Sequence, residues 1–417
     1  MPDTAVSMPS RAAMPFILIT VLIDMVSIGL IIPVLPPLVG TFTSNQADQA
    51  FWFGAVSLAF GIANFFGSPI LGALSDRYGR RPILLVGFSG LALSFFVTGL
   101  ATALWMLIIV RLFSGAMMAN ATVANAYVAD ITAPAERARR FGLLGAMFGL
   151  GFILGPVLGG LLGNIDLRLP FFVAGGLALL NLAYGYFVLP ESLSTERRTA
   201  FNWRKANPVS ALKGLAELKG IGSLIIVLAL SGLAQFVLHS TWVLYTSFKF
   251  GWGPLQNGWS LFAVGMMSAL VQGFLLKHLL RRFSTKRLVV MGLVSSSLCY
   301  QAWGLAPEGW MMVAVIGFNV LGFAVTAAMQ SIVSNAADES TQGRTLGAVS
   351  ALNSLMAVAA PVIGAGLLAF VSHLPKGDWR IGAPYYFCAA LQAVAMLIAL
   401  RHFARARAPV SPHPAQI

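Results

Sequence analysis

Twelve times along this chain, a run of about 20 residues passes almost without charge, long enough for a helix to cross a bilayer. Only 10% of the 417 residues are charged, 58% are hydrophobic, and the mean hydropathy is +0.81. A water-soluble fold could not hide so much apolar surface. In lipid, backbone groups must be satisfied within their own segment, which leaves helices. The expected fold class is an all-α polytopic membrane protein with twelve transmembrane helices. The spans fall near 15–39, 50–73, 82–101, 104–128, 139–163 and 170–189, then near 221–247, 256–277, 287–306, 310–335, 344–371 and 381–401. The first run is too long for a signal-peptide core and is expected to stay as a helix.

The formal net charge of +13 would suggest nucleic acid in a soluble protein. Here its distribution decides otherwise. With the N-terminus placed in the cytoplasm, 22 of the 27 Lys and Arg residues fall in inside loops, four fall outside, and Arg111 alone lies within a span. That bias puts both termini in the cytoplasm, with a lipid bilayer rather than a nucleic acid as the partner. Cys299 and Cys388 each sit in an apolar run and read as buried free thiols.

The longest polar stretch divides the chain into a six-helix half (1–190), a linker (191–220) and a second six-helix half (221–417). A shift of 205 residues lays Gly142, Pro156 and Gly159 on Gly347, Pro361 and Gly364. A shift of 206 lays Arg80 and Arg81 on Lys286 and Arg287. Two places sharing nearly one offset indicate a duplicated unit, as in transporters that rock two repeats around a shared site.

Four charges crowd the turn Leu74-Ser75-Asp76-Arg77-Tyr78-Gly79-Arg80-Arg81-Pro82. Gly79 gives the turn backbone freedom, Pro82 suits the first turn of the next helix, and Asp76 can pair with Arg80. From Gly72 onward this stretch resembles the loop 2–3 signature of the major facilitator superfamily. The resemblance implies a cytoplasmic gate: Asp76, Arg80 and Arg81 with Asp130 at the end of the fourth span, docking on the start of span eleven near Gly343 to Gly347. Arg282 stands where the second half would repeat Asp76, so one such gate is expected.

Span five carries glycines at four-residue spacing: Gly145, Gly149, then Gly151, Gly155, Gly159 and Gly163, with Pro156 among them. Small residues so spaced let helices approach closely. The run from Gly151 to Gly160 also resembles the fifth-span signature of the antiporter branch, which implies proton-coupled export. The sequence is similar to the tetracycline/proton antiporters in further places, among them Asp24 to Pro36, Arg111 to Gly115 and Phe141 to Ala146.

Asp24 is the one carboxylate well inside a span and Arg111 the one base. Intramembrane charge is costly and marks function by default. Asp24 is expected to be a coupling or substrate-facing carboxylate, with Arg111 handling protons near it. Asn64, Asn120, Gln235, Gln272, Asn319 and Gln330 are candidates for a central cavity, and His239 reads as a surface-facing side chain near the outer end of span seven. Relatives that expel metal–tetracycline carry a third-span acid, an eighth-span histidine and a ninth-span acid. Here Ser94, Ser268 and Ser295-Ser296-Ser297 occupy those places, so no metal site or other cofactor is expected, and the substrate is changed or broader.

The expected function is a proton-coupled antiporter exporting amphiphilic drugs from a bacterial cytoplasm through the inner membrane, as a monomer. An uncharged or cationic amphiphile would use Asp24 and an apolar pocket. The alternative is a proton symporter importing a small nutrient, which would want a more polar cavity. An enzyme or ATP-driven pump is disfavoured: the chain contains no Gly-Lys dipeptide, hence no Walker A loop, and no His-Glu-x-x-His.

Overall fold

The computed structural model describes residues 13–118, 120–201, 203, 207, 222–335 and 342–405. Among them, eleven helices are long and apolar enough to span a membrane, and a twelfth span comes from a bent pair. In chain order the first half comprises α1 (Met14–Gly40), α2 (Gln46–Tyr78), α3 (Arg80–Gly99), α4 (Leu104–Asp130), α5 (Arg137–Ile165) and α6 (Leu169–Val188). The second comprises α7 (Gly222–Phe250), α8 (Pro254–Arg282), α9 (Thr285–Leu305), α10 (Gly309–Phe318 and Val320–Asn335), α11 (Gln342–Val371) and α12 (Ala383–Arg405). Large apolar side chains are left bare on the outside, including Phe187 (81% exposed), Phe318 (79%) and Phe370 (78%). Water would make that costly, whereas lipid makes it neutral.

The two halves repeat each other in packing. α1 lies along α5 and α7 along α11; α3 along α6 and α9 along α12; α3 on α4 and α9 on α10. The contacts between halves obey the same rule, since α2 packs on α11 and α5 on α8. The sequence offset now has its physical meaning. Gly159 faces the Leu30 carbonyl of α1, and its counterpart Gly364 faces Thr241 and Val237 of α7.

Interruptions of the helices occur in both halves. Pro33, Pro36 and Pro37 break α1 beyond Ile31. α4 is interrupted at Met118, and α10 bends by 49° at Asn319. Broken backbone at membrane depth is tolerated where protein or a cavity covers it.

The apolar core shows how the halves meet. One cluster joins Leu30, Val34, Leu38 and Phe53 of the first half to Trp242, Tyr245 and Leu368 of the second. It lies toward the helix ends remote from the charged turn. Toward the charged-turn face the core splits into one cluster around Ile17, Leu84, Tyr127 and Leu144, and another around Leu228, Leu293, Ala328 and Ala395. The inter-half contacts agree. Gly54 and Gly61 of α2 meet Ala365 and Val358 of α11, and Gly160 of α5 meets Gly258 and Pro254 of α8. Nearer the charged turn, Gly142, Gly145 and Gly149 of α5 and Gly273 of α8 meet nothing within 4 Å among the described residues. The molecule is a V, joined at one face and open at the face bearing the charged turn.

Candidate functional site

At that open face the turn Asp76–Arg81 is built as the sequence suggests. Gly79 takes φ 107°, a left-handed backbone that favours glycine. Its N–H caps α2 by donating to the Ser75 carbonyl at 3.1 Å. Arg80 turns back over the helix end. Its Nη1 donates to Ser75 Oγ (2.7 Å) and Asp76 Oδ1 (2.5 Å), and its Nε donates to Asp130 Oδ2 at 3.0 Å. The Arg80 and Asp130 side chains are only 10% and 18% exposed, so this ion pair is shielded from water.

Glu191, at the exit of α6, is the member that sequence reading missed. It accepts the backbone N–H groups of Arg80 (2.8 Å) and Arg81 (3.3 Å), and its carboxylate occupies the space a side chain at Gly79 would need. It thus caps the N-terminus of α3, where a negative charge is favoured. Ser192 adds a bond to Asp130, and Arg81 reaches the Tyr186 carbonyl on α6. Gly72, one turn before Ser75, lies beside Thr122 of α4. Among the described residues, every partner in this cluster belongs to the first half or the start of the linker. The expected docking partner near Gly343 to Gly347 has side chains outside the described residues, as does most of the linker.

Asp24 and Arg111 do not meet. Asp24 is 5% exposed and accepts from Asn120 Nδ2 at 3.1 Å, with Asn120 seated where α4 resumes beyond its break. Gly87 of α3 leaves the room that the Asn120 amide fills. Apolar Met25, Leu84, Phe88 and Phe148 close this small pocket. Asp24 lines neither of the two cavities that Arg111 borders.

Arg111 lies on the first segment of α4 and borders two adjoining cavities that share Leu35 and Phe60. One lies within the first half against α7. It encloses about 200 Å³ and opens to solvent. Its walls are mostly apolar, with Ile31, Phe53, Leu91, Phe95 and Val243 beside Ser94 and Thr98. The other runs between α2, α4, α7 and α11 past Asn64 and Asn353. His239, expected at the surface, is exposed, and it borders the first of these cavities and a third pocket.

The third pocket, inside the second half, gathers Gln235, Ser296, Asn319, Thr326 and Gln392 with Trp242 and Trp303. Asn319 Oδ1 and Gln392 Oε1 are buried there without a partner. Gln235 and Asn319 border this pocket, which lies inside the second half and not between the halves. Gln272 instead sits exposed in a π-helical turn of α8, bonded to Ser268, and Gln330 is exposed on α10.

The glycines of α5 form a seam against α1: Gly151 on Met25, Gly155 on Gly29, and Gly159 on the Leu30 carbonyl. Pro156, inside α5, lies between this seam and Gly258 of α8. The glycine pattern therefore brings the helix carrying Asp24 and a helix of the other half against one and the same element.

Twelve helices in two repeats, a cavity at their interface and an ion-paired turn at one face define a secondary transporter. The family model of the Major Facilitator Superfamily matches residues 17–361 and 224–416, and the chain belongs to that superfamily. It is 35% identical over 380 residues to the tetracycline resistance protein, class C, of Escherichia coli, covering 91% of this chain and 96% of that protein. It is 33% identical over 382 residues to the class D protein of Salmonella ordonez, covering 91% and 95%. Among solved structures, the nucleoside transporter NupG superposes with a TM-score of 0.75 at 14% identity, covering 94% of this chain and 99% of that one. The D-xylose-proton symporter superposes at 0.73 and 17% identity, covering 94% and 97%. At these identities both structures report on the fold alone.

Proposed function

We propose that this protein is a proton-coupled antiporter that exports amphiphilic drugs from a bacterial cytoplasm by alternating access, as a monomer in the inner membrane. The observation that carries the reading is the 30–35% identity to tetracycline resistance proteins along 91% of the chain. The predominantly apolar cavity supports drugs over polar nutrients as cargo. The Lys and Arg bias assigns the charged-turn face to the cytoplasm, so the V is an inward-open state with its cavity presented to cytoplasmic substrate. Both termini then lie in the cytoplasm, and one chain holds a complete substrate path.

Proton coupling is assigned to Asp24. Its pocket, closed off by Asn120 and apolar neighbours, penalises a bare charge, which ties the arrival and departure of a proton to whether the pocket is open. Asp24 lies beside the α1–α5 seam, which reaches the other half through α8, so rocking of the halves can open or close that pocket. The Arg80–Asp130 cluster forms the rigid lip of the cytoplasmic gate and is assigned to close against α11 in the outward-open state. An entering proton releases about 2.3 kcal/mol per 100 mV of membrane potential, which drives export uphill.

The test uses the purified protein in liposomes containing a pH-sensitive dye. Tetracycline or a lipophilic dye added to proton-loaded vesicles should trigger proton efflux, and Asp24→Asn should abolish it while substrate binding remains. Substrate-independent proton movement, or full coupling in the Asp24→Asn protein, would refute the assignment.

A further inference from the structure

We propose that the central cavity selects anionic amphiphiles, with Arg111 as the counter-ion to a negatively charged head on an apolar body. This deepens the export reading above and rests on it for the idea that the cavity carries cargo at all.

Arg111 is 8% exposed and lies within a span. A guanidinium stays ionised in a protein, so a full positive charge stands in the wall of both cavities. Nothing among the described residues neutralises it. Its Nε is buried without an acceptor, and no described residue accepts a hydrogen bond or forms an ion pair with its guanidinium. Its one ring contact among the described residues is with Phe60, 5.9 Å from the centroid, a partial compensation at most.

The carboxylates that could have served are committed elsewhere. Asp24 is held by Asn120 in a different pocket, and Asp76 and Asp130 are held by Arg80. Among the described residues, no aspartate or glutamate lines either cavity bordered by Arg111. Ser94, where an acid was considered from the sequence, spends its hydroxyl on the Gly90 carbonyl of its own helix.

The sign of the field then decides the cargo. A cationic head entering this cavity meets a like charge and, among the described residues, no acid, which is repulsive. An anionic head meets an unpaired, planar donor suited to carboxylates and similar groups. The apolar walls take the body of the ligand. His239, facing the same space, adds a group that can donate a hydrogen bond and never carries negative charge. The expectation of an uncharged or cationic amphiphile rests on the premise that Asp24 lines the cavity, and Asp24 lines neither cavity bordered by Arg111.

Full-length protein in lipid nanodiscs separates the cases through three fluorescent probes on one scaffold: dansylglycine (carboxylate), dansylglycinamide (neutral) and dansylethylenediamine (ammonium). Dansylglycine should bind at least tenfold tighter than the amide and tighter still than the amine. Arg111→Met should erase that order, and Arg111→Lys should restore part of it. Equal or tighter binding of the amine or amide, no binding of dansylglycine, or an unchanged order in Arg111→Met overturns the proposal. So does displacement of dansylglycine by millimolar acetate, which would assign the site to small anions only. The ranking of the unmodified protein needs no variant to fold. These readouts involve no transport, so the export reading fails separately, if no probe or tetracycline moves protons in liposomes.

Discussion

Replacing Gly160 by alanine should shift the transporter out of the V-shaped state, open at the charged-turn face. Gly160 of α5 lies at the joined end of the V, where a Cβ would stand 2.7 Å from the Pro254 carbonyl oxygen and 3.0 Å from the Gly258 Cα of α8. Both obstacles are backbone, so neither can swing aside. The helices must part by roughly 0.7 Å to regain ordinary contact. Overpacking of this kind costs about 1–3 kcal/mol. Because α5 and α8 belong to different halves, the whole cost falls on the state in which that end is closed. A bias of about 1–3 kcal/mol changes a two-state ratio by roughly 5- to 150-fold. Spin labels at Thr102→Cys and Lys376→Cys, exposed residues of the two halves at the joined face, would read the distance between them. The native Cys299 and Cys388 are buried and stay unlabelled. The expected result is growth of a longer-distance population in Gly160→Ala, with no change in Gly149→Ala, whose Cβ would meet nothing within 4 Å. An unaltered distribution in Gly160→Ala, or an equal shift in Gly149→Ala, would refute the reasoning.

Arg80→Met should lower stability by about 3–5 kcal/mol, because it strands the shielded Asp130 carboxylate, whereas Arg140→Met should cost less than about 1 kcal/mol because its partner Glu136 is 56% exposed; thermal unfolding in detergent checks both. Gly79→Ala should cost about 1–2 kcal/mol for its left-handed backbone, with a further loss from displacing Glu191, and adding Glu191→Gln to the Gly79→Ala protein should recover none of it in the same assay. Asp378, in the turn before α12, has its pKa lowered from 3.8 to about 2 by hydrogen bonds from the Arg380 side chain and backbone. A lowered carboxylate pKa contributes stability that is present above the unfolded value and lost as pH falls through about 2. Arg380→Gln should therefore remove this contribution, lowering stability at neutral pH and flattening the part of the pH–stability profile between about 4 and 2.

The spans and their pairing into repeats were legible because hydropathy and glycine–proline spacing are local properties. The Asp76–Arg80 pairing was legible for the same reason, since four residues separate the partners. Glu191 was not: it caps a helix that begins 111 residues earlier, and only the fold brings them together. The facing of Asp24 was hidden because α1 is apolar on every side, so no polar stripe records which face meets α4 and which meets the cavity. Arg111 stood out as an isolated charge, yet that it has no partner among the described residues could be learned only from the positions of Asp24 and Asn120.

Beside the bulky apolar cluster that joins the lobes, their seam places glycine at the tightest approaches, at Gly160 and Gly258 on one flank and at Gly54 and Gly61 on the other. A joint of bare backbone has few rotamers to freeze when it shuts or release when it parts. At those approaches each stroke freezes and frees few side chains.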